Sequence, residues 1–437
     1  MGRLMRRVAA ATAVAVLLAA SIAGAVSAFS GFGTIKASAT YNDAMTFSVA
    51  LPGGAPQALD LLLQFTGSDE TLVIPVEPGV SSATYRWDAA ASPVTPNTAI
   101  TYRWRATDGG QVTLSPKGSL LYDDDRPGLD WHMAHFGDTT VHWYGGAETV
   151  ARQFGALSAT AARAAEQLLD HNLAGPIDIF VYDTRDEFFG ALGPGAREWT
   201  GAATFPPIRT IFMWLGGGSS AYLQTTLVHE VTHVVFHDAT DNAYHDPPRW
   251  FNEGLASWAE EHSDASRRST VEAAASGAGL LALDGLADAF PIDTSAALLA
   301  YAEGTSMVQL IIDRYGEPAI ARLAAAWRGG ATDEEALRAG TGVTKDVLYS
   351  QYFALFGVDP PQPVSPAPIL ASNVDRPPQL GSSSEPAPTG AGAAPSGAPV
   401  SGDGTDFTPL ALLGLVVVVL IGGTWLAVWS TRRVRPE

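Results

Sequence analysis

The chain has 437 residues, of which 46% are apolar, and its formal net charge is −19. This length exceeds one ordinary domain, and the apolar content is sufficient for sizeable cores. The acidic balance argues against nucleic acid as a partner, because phosphates require patches of lysine and arginine. With no cysteine in the sequence, a thiol nucleophile is excluded, and any bound metal must be held by histidine and carboxylate groups.

Residues 1–28 are typical of a secretory signal peptide. Three arginines within the first seven residues precede an apolar stretch over residues 8–20, and residues 26–28 (Val-Ser-Ala) form a small-residue cleavage site. An uncleaved anchor helix is the alternative interpretation. Cleavage predicts that the domains that follow lie outside the cytoplasm.

From residue 29 to residue 125, short alternating strands are separated by turn residues. The pattern occurs over residues 46–51, 58–65, 71–76, 99–106 and 111–114. Such strands predict an all-β sandwich of the immunoglobulin or fibronectin kind. No catalytic pattern occurs in it, so we interpret it as a structural spacer or docking module. An acidic run over residues 123–125 could bind calcium, but an exposed acidic turn is the simpler interpretation.

Residues 126–358 are mostly helical, with two short strands near the beginning. Strands are predicted over residues 177–182 and 210–214, and helices over residues 148–173, from 220, from 248, over 297–315 and over 317–327. This order predicts an α+β domain. Residues 206–214 are expected to form the strand that borders the cleft, where an edge strand can bind an extended peptide.

The motif His229-Glu230-Val231-Thr232-His233 lies in an apolar stretch that predicts a buried helix. Side chains four residues apart project from one helix face, so His229 and His233 can bind one zinc ion. Glu230 is rotated by about 100° from His229, which directs it toward the metal's open position. A carboxylate there can act as general base on a metal-activated water. Two histidines buried in a core are the alternative explanation of this motif alone.

A catalytic zinc ion needs a third protein ligand, and Glu253 can supply it. Glu253 is 20 residues after His233, on a second apolar helix that two prolines introduce. That distance allows the second helix to return antiparallel to the first. Gly254 removes a side chain where the two helices must pack closely. An exposed glutamate is the alternative interpretation, and other candidate ligands are His237, Asp238, His245 and Asp246.

The two motifs that contain His229 and Glu253 resemble those of a known family of metallopeptidases. H-E-x-x-H followed by N-E-G-x-A resembles the gluzincin metallopeptidases, in particular the peptidase MA-like group, over about residues 199–316. The resemblance implies a zincin-like peptidase domain in which Glu230 is the general base and acid. It also implies that zinc is bound by His229, His233 and Glu253.

The resemblance further implies a tyrosine that hydrogen-bonds the oxyanion. Tyr301 matches that position, because the segment Tyr-Ala-Glu-Gly at residues 301–304 resembles the Y-E-K-G segment of gluzincin aminopeptidases. A structural tyrosine is the alternative.

The chain departs from the family pattern at several points. No G-x-M-E-N signature precedes the motif, so aminopeptidase specificity does not follow. At the position of Ser257, thermolysin-like members have an aspartate that orients a histidine. A serine hydroxyl is a weaker hydrogen-bond partner for a histidine than that aspartate is. Phe236 stands where the metzincin pattern requires glycine.

The C-terminal part is predicted to anchor the chain. Residues 359–406 are rich in proline, alanine, glycine and serine, which predicts a disordered stalk. Residues 407–430 form an uncharged apolar run long enough to cross a bilayer, although a buried core helix is the alternative. Three arginines lie in residues 431–437, which are therefore predicted to be a cytoplasmic tail.

The sequence thus predicts a multidomain, single-pass cell-membrane protein with its catalytic domain outside the cell. Its predicted parts are a signal peptide (1–28), a β-sandwich (29–125), a gluzincin-like peptidase domain (126–358), a linker (359–406), a transmembrane helix (407–430) and a tail (431–437). The predicted activity is hydrolysis of a peptide or protein substrate with Zn²⁺, and no nucleic-acid partner is expected. The alternative is a membrane-tethered binding or scaffold protein with a non-catalytic zinc site.

Overall fold

The computed structural model describes residues 29–193, 201–260, 264–277, 279–291 and 293–361. Four predicted parts of the chain lie wholly or mostly outside these residues. They are the signal peptide, the stalk beyond residue 361, the transmembrane helix and the cytoplasmic tail.

The N-terminal part is a β-sandwich of two antiparallel sheets. One sheet has the strand order β1-β2-β5, and the other has the order β4-β3-β6-β7, with β8 also paired to β6. The strands are β1 (Ile35–Thr40), β2 (Ala44–Ala50), β3 (Ala58–Phe65), β4 (Leu72–Pro75), β5 (Ser82–Asp88), β6 (Thr98–Asp108), β7 (Gln111–Leu114) and β8 (Gly118–Tyr122). Alternate side chains of both sheets, such as Phe47, Leu61 and Trp104, are fully buried between them. The predicted sandwich is therefore present.

The second part is built on a mixed five-stranded sheet with the order β12-β13-β11-β10-β9. The strands are β9 (His132–Phe136), β10 (Thr139–Trp143), β11 (Ile177–Tyr182), β12 (Ala202–Phe205) and β13 (Thr210–Trp214). The three inner strands are parallel, and the two outer strands are antiparallel to their neighbours. The segment predicted to be the edge strand is β13, which lies inside the sheet. The prediction was wrong on this point, because β12 covers β13 and forms the edge itself.

Helices pack on both faces of this sheet, and the short helix at Arg185–Leu192 lies on the face opposite the large helical core. They are α1 (Glu148–Leu169), α2 (Arg185–Leu192), α3 (Ser220–Thr240), α4 (Arg249–Ala259), α5 (Asp264–Ser276), α6 (Thr294–Tyr315), α7 (Pro318–Arg328), α8 (Asp333–Thr341) and α9 (Lys345–Leu355). Side chains alternate along the strands, so Ile179 and Ile211 enter the large helical core while Phe180 and Phe212 enter a smaller core on the other face. The α+β class predicted for this part is confirmed.

Helix α6 packs in the interior. In the part of the chain that the structure describes, it is the one helix long and apolar enough to cross a membrane, but 61% of its most apolar window is buried within the fold. Buried glycines explain how closely it approaches α4: a Cβ on Gly254 would lie 2.4 Å from the carbonyl oxygen of Gly304. Gly254 therefore permits close packing against α6, whereas the sequence pattern suggested packing against α3.

The sandwich and the mixed sheet are joined through a partly buried ion pair. Asp124, predicted to lie in an exposed acidic turn, is 1% exposed. Its carboxylate accepts hydrogen bonds from Nε of Arg126 at 2.7 Å and from the hydroxyl of Tyr182 on β11 at 3.0 Å. Arg126 also donates to the carbonyl oxygen of Glu187 at 2.7 Å. This carboxylate is thus already bound by protein groups, which speaks against the calcium interpretation.

The sandwich also contacts the turn between β12 and β13. Nδ2 of Asn97 donates to the hydroxyl of Thr210 at 2.9 Å. Gly67 has a positive φ and lies so close to Pro207 that a Cβ would approach the proline ring to 2.5 Å. The sandwich thus packs against the turn that joins the two strands at this end of the mixed sheet.

Replacing Asp124 with alanine is expected to lower the free energy of unfolding by about 3 kcal/mol, because it leaves Arg126 and Tyr182 without their buried partner. Urea denaturation followed by tryptophan fluorescence measures this change. The matched control is Asp130→Asn at an exposed aspartate nearby, for which we expect a change within about 0.5 kcal/mol. Equal midpoints for the two variants would contradict the assignment of Asp124 to the joint.

Candidate metal centre

Three buried side chains converge where α3 packs against α4. His229 and His233 lie one turn apart on α3, Glu253 lies on α4, and at most 1% of each residue is exposed. Their ligand atoms lie within 4.8 Å of one another, and they are the one such group of three found among the described residues. The structure therefore brings together the three ligands that the resemblance implied.

The spacing of these atoms fits a zinc ion better than it fits hydrogen bonds. Nε2 of His229 and Nε2 of His233 each lie 3.5 Å from Oε2 of Glu253. None of these three atoms has a hydrogen-bond partner, and neither does the other carboxylate oxygen. In a tetrahedral site with metal–ligand distances of about 2.0–2.1 Å, neighbouring ligand atoms are roughly 3.4 Å apart. Because unpartnered buried polar atoms are costly, a cation between them accounts for the arrangement.

Each histidine is oriented through its second ring nitrogen. Nδ1 of His229 donates to Oε1 of Glu260 at 2.7 Å, and Nδ1 of His233 donates to Oδ1 of Asn252 at 2.8 Å. Because both oxygens accept, each Nδ1 carries a proton, and each Nε2 is the ring atom turned toward the position that a metal would take. The sequence analysis considered Ser257 for this role, but its hydroxyl has no hydrogen-bond partner.

Glu260 is held in turn by α5. Nη2 of Arg267 donates to Oε2 of Glu260 at 2.5 Å, and Nη1 of the same arginine donates to the carbonyl oxygen of Ser257 at 2.9 Å. The sequence analysis missed Glu260. Its spacing of seven residues from Glu253 is two helical turns, which places both on one side of α4 and could have signalled the role.

The charges of the cluster favour a bound cation. Burial opposes the charged form of His229, but the carboxylates of Glu253 and Glu260 outweigh it and raise the pKa of His229 to about 10. Burial would also raise the pKa of Glu253, yet the two histidines hold that pKa well below its usual range. The carboxylate of Glu253 thus stays ionised although it is buried.

Glu230 lies beside the cluster and is fully buried. Burial raises its pKa, and the neighbouring imidazoles of His229 and His233 oppose the rise. Its Oε2 accepts a short hydrogen bond from the hydroxyl of Thr204, while its Oε1 has no partner. One carboxylate oxygen is therefore held and the other is free to act on a proton.

Tyr301 also lies at the cluster, on α6. Its ring centroid is 6.5 Å from that of His229 and 5.0 Å from that of Phe290. Burial, together with the charge of Glu253, raises the pKa of Tyr301 well above its usual value. The phenol therefore keeps its proton and can donate a hydrogen bond.

Arg249 is a further charged group at the cluster that the sequence analysis did not single out. It lies one turn before Glu253 on α4, with Nη2 at 3.5 Å from Oε1 of that carboxylate, and its guanidinium lies 5.7 Å from the ring centre of Phe290. A quarter of its side chain is exposed. The positive charge of Arg249 lies near Oε1 of Glu253, whereas the two histidines lie near Oε2. The guanidinium can therefore balance part of the negative charge of this carboxylate.

The other candidate ligands make different contacts. Asp238 accepts from Nε2 of His171 at 2.8 Å, and the ring of His245 contacts the carbonyl oxygens of Ala331 and Asp246. Among the described residues, neither they nor His237 belongs to the three-residue cluster. Glu253 is the third member of the cluster.

Comparisons with known proteins agree with the motif. Residues 159–355 match the family model described as the Peptidase MA superfamily. No curated protein matches the chain significantly.

Similar solved structures are distant. An M1 zinc metallopeptidase from Deinococcus radiodurans has 14% identity and a TM-score of 0.36, covering 75% of this chain and 91% of that one. A mutant of an M1 zinc metallopeptidase from the same organism has 12% identity and a TM-score of 0.38, covering 75% and 93%. A computer-redesigned β-sandwich protein has 12% identity and a TM-score of 0.19, covering 22% and 97%. At these scores the likenesses carry no argument about activity.

Replacing Glu260 with alanine is expected to weaken zinc binding by about 10- to 100-fold, because the ring of His229 loses the acceptor that orients it. The Glu260→Gln variant should lose less zinc affinity, because its amide oxygen can still accept the hydrogen bond from Nδ1 of His229. Competition with a chromogenic chelator measures the affinity.

The matched control is Glu272→Ala on α5, whose exposed carboxylate pairs only with exposed Arg268. It should bind zinc as the unaltered chain does. An affinity for Glu260→Ala equal to that of the control would show that Glu260 does not support the site.

Proposed function

This chain is a zinc-dependent peptidase of the Peptidase MA superfamily, and from that premise we propose that the cluster on α3 and α4 is its active site. His229, His233 and Glu253 are the proposed zinc ligands. The observation that carries the proposal is their set of buried, unpartnered ligand atoms, with a free oxygen of Glu230 beside them. The match to the Peptidase MA superfamily model confirms, at the level of the superfamily, the family that the sequence motifs suggested.

Zinc, when bound by these ligands, supplies Lewis acidity that polarises the substrate carbonyl and makes water a better nucleophile. Glu230 takes a proton from the attacking water at its free Oε1 and later delivers that proton to the nitrogen of the leaving amine. Tyr301 donates its phenolic proton in a hydrogen bond to the oxygen on which negative charge develops. Asn252 and Glu260 keep the two imidazoles in the required tautomer.

The substrate is proposed to be a peptide or protein in extended form. Among the described residues, strand β12 forms one edge of the sheet and β9 the other, and we propose that an extended substrate lies beside β12, the edge nearer Glu230. Thr204 on that strand touches Glu230, which places the edge next to the reacting groups.

Two variants test the proposed roles. Glu230→Gln should keep stoichiometric zinc and lower kcat by about 10²- to 10⁴-fold, because the amide cannot accept the proton. Tyr301→Phe should lower kcat by about 10²-fold through loss of one donor to the oxyanion. Cleavage of a peptide library followed by mass spectrometry, with zinc content measured in parallel, gives both results.

The alternative function is that of a membrane-tethered binding or scaffold protein with a non-catalytic zinc site. A purely structural site has no use for the free oxygen of Glu230, and this favours the enzyme. Unchanged cleavage by Glu230→Gln would refute the catalytic assignment, and zinc binding without any cleavage by the unaltered chain would favour the scaffold.

We also propose the domain limits and the membrane attachment that the sequence indicates. The sandwich would occupy residues 29–125 and the peptidase domain residues 126–358. A cleaved signal and a span over residues 407–430 would leave both domains outside the cell on a stalk. The support is the uncharged apolar run followed by arginines.

Deleting residues 407–437 is expected to move the protein from the membrane fraction to the soluble fraction after cell lysis, because the anchoring apolar run is lost. Immunoblotting after ultracentrifugation measures the distribution. As a control, deletion of residues 431–437 alone should leave the protein in the membrane fraction. Full-length protein in the soluble fraction would contradict the anchor.

A further inference from the structure

The edge strand β12 reaches the catalytic carboxylate through one side chain. The hydroxyl of Thr204 donates a short hydrogen bond to Oε2 of Glu230, and at most 1% of either residue is exposed. It is the one hydrogen bond found for the side chain of Glu230, since Oε1 has no partner. The two residues are 26 positions apart in sequence, so the contact depends on the packing of β12 against α3.

The local structure holds this hydroxyl in place. Thr204 pairs with Ile211 in the antiparallel ladder between β12 and β13, which fixes its backbone. Side chains alternate along the strand: Ala203 and Phe205 enter the core on the far face, so Thr204 must project toward α3. A β-branched side chain also has restricted χ1 rotation.

A single hydroxyl proton can serve only one acceptor. When it is donated to Oε2, it turns the carboxylate so that Oε1 is the oxygen left for the water proton. A buried carboxylate without this donor would lose a charge-assisted hydrogen bond and could rotate about its terminal torsion, which is broad.

We propose that Thr204 is a positioning residue for Glu230: it selects which carboxylate oxygen acts as the base and links strand β12 to the general base. This inference rests on the proposed peptidase function. Thr204 itself touches no reacting atom.

The test compares Thr204→Val, which keeps the shape and removes the hydroxyl, with Thr204→Ser, which restores the hydroxyl. We expect Thr204→Val to lower kcat by about 10- to 100-fold, with KM changed by less than about threefold and zinc content unchanged. Thr204→Ser should return kcat to within about threefold of the unaltered chain, because its hydroxyl can donate to the same oxygen.

The matched control is Thr240→Val, at a buried threonine of α3 whose hydroxyl bonds to the carbonyl oxygen of Phe236. It should leave kcat unchanged. Equal kcat for the Thr204→Val and Thr240→Val variants overturns the proposal. So does a loss in Thr204→Ser as large as that in Thr204→Val, or a loss that appears only in KM.

A measurement independent of activity tests the contact itself. Thr204→Val should lower the urea midpoint of the zinc-loaded chain, whereas in a Glu230→Leu background, where the hydroxyl has no acceptor, it should leave the midpoint unchanged or raise it. An equal shift in both backgrounds overturns the proposal. If the unaltered chain cleaves peptides and Thr204→Val matches it, only this inference fails; if Glu230→Gln retains full activity, the proposed function fails as well.

Discussion

The burial of a carboxylate and two imidazoles between α3 and α4 is the constraint on which the rest of the peptidase part depends. Isolated buried charges are costly, so each needs a partner. Glu260 and Asn252 satisfy one nitrogen of each ring, while the atoms that face one another have no protein partner. The geometry of these atoms suits a metal ion, which would satisfy all of them at once. This fit is what supports the proposal of a zinc site.

Close approach of helices completes this site. Two glycines, Gly254 and Gly304, let α4 and α6 pack so tightly that a Cβ on either would overlap the backbone of the other helix. This crossing brings Tyr301 to the cluster from a third helix. The side chain of Arg267 on α5 then neutralises Glu260, so four helices contribute to one centre.

The sandwich belongs to the same structural unit. Asp124 bonds to Tyr182 of the peptidase sheet, and Asn97 bonds to Thr210 just after the turn that follows β12. That strand carries Thr204, which holds Glu230. A module without any catalytic pattern in its sequence thus supports the edge of the active site through a short series of buried contacts.

The sequence by itself predicted the proposed metal ligands and base and determined the α+β class, because those depend on local spacing: the four-residue spacing of His229 and His233 defines one helix face, and alternation defines strands. It also indicated Tyr301 through a short motif. It did not determine that β12 rather than β13 is the edge, that Gly254 faces α6, or that Glu260 hydrogen-bonds His229 and Thr204 hydrogen-bonds Glu230. Only the tertiary structure decided these features, because each depends on contacts between elements far apart in the chain, which no local period encodes.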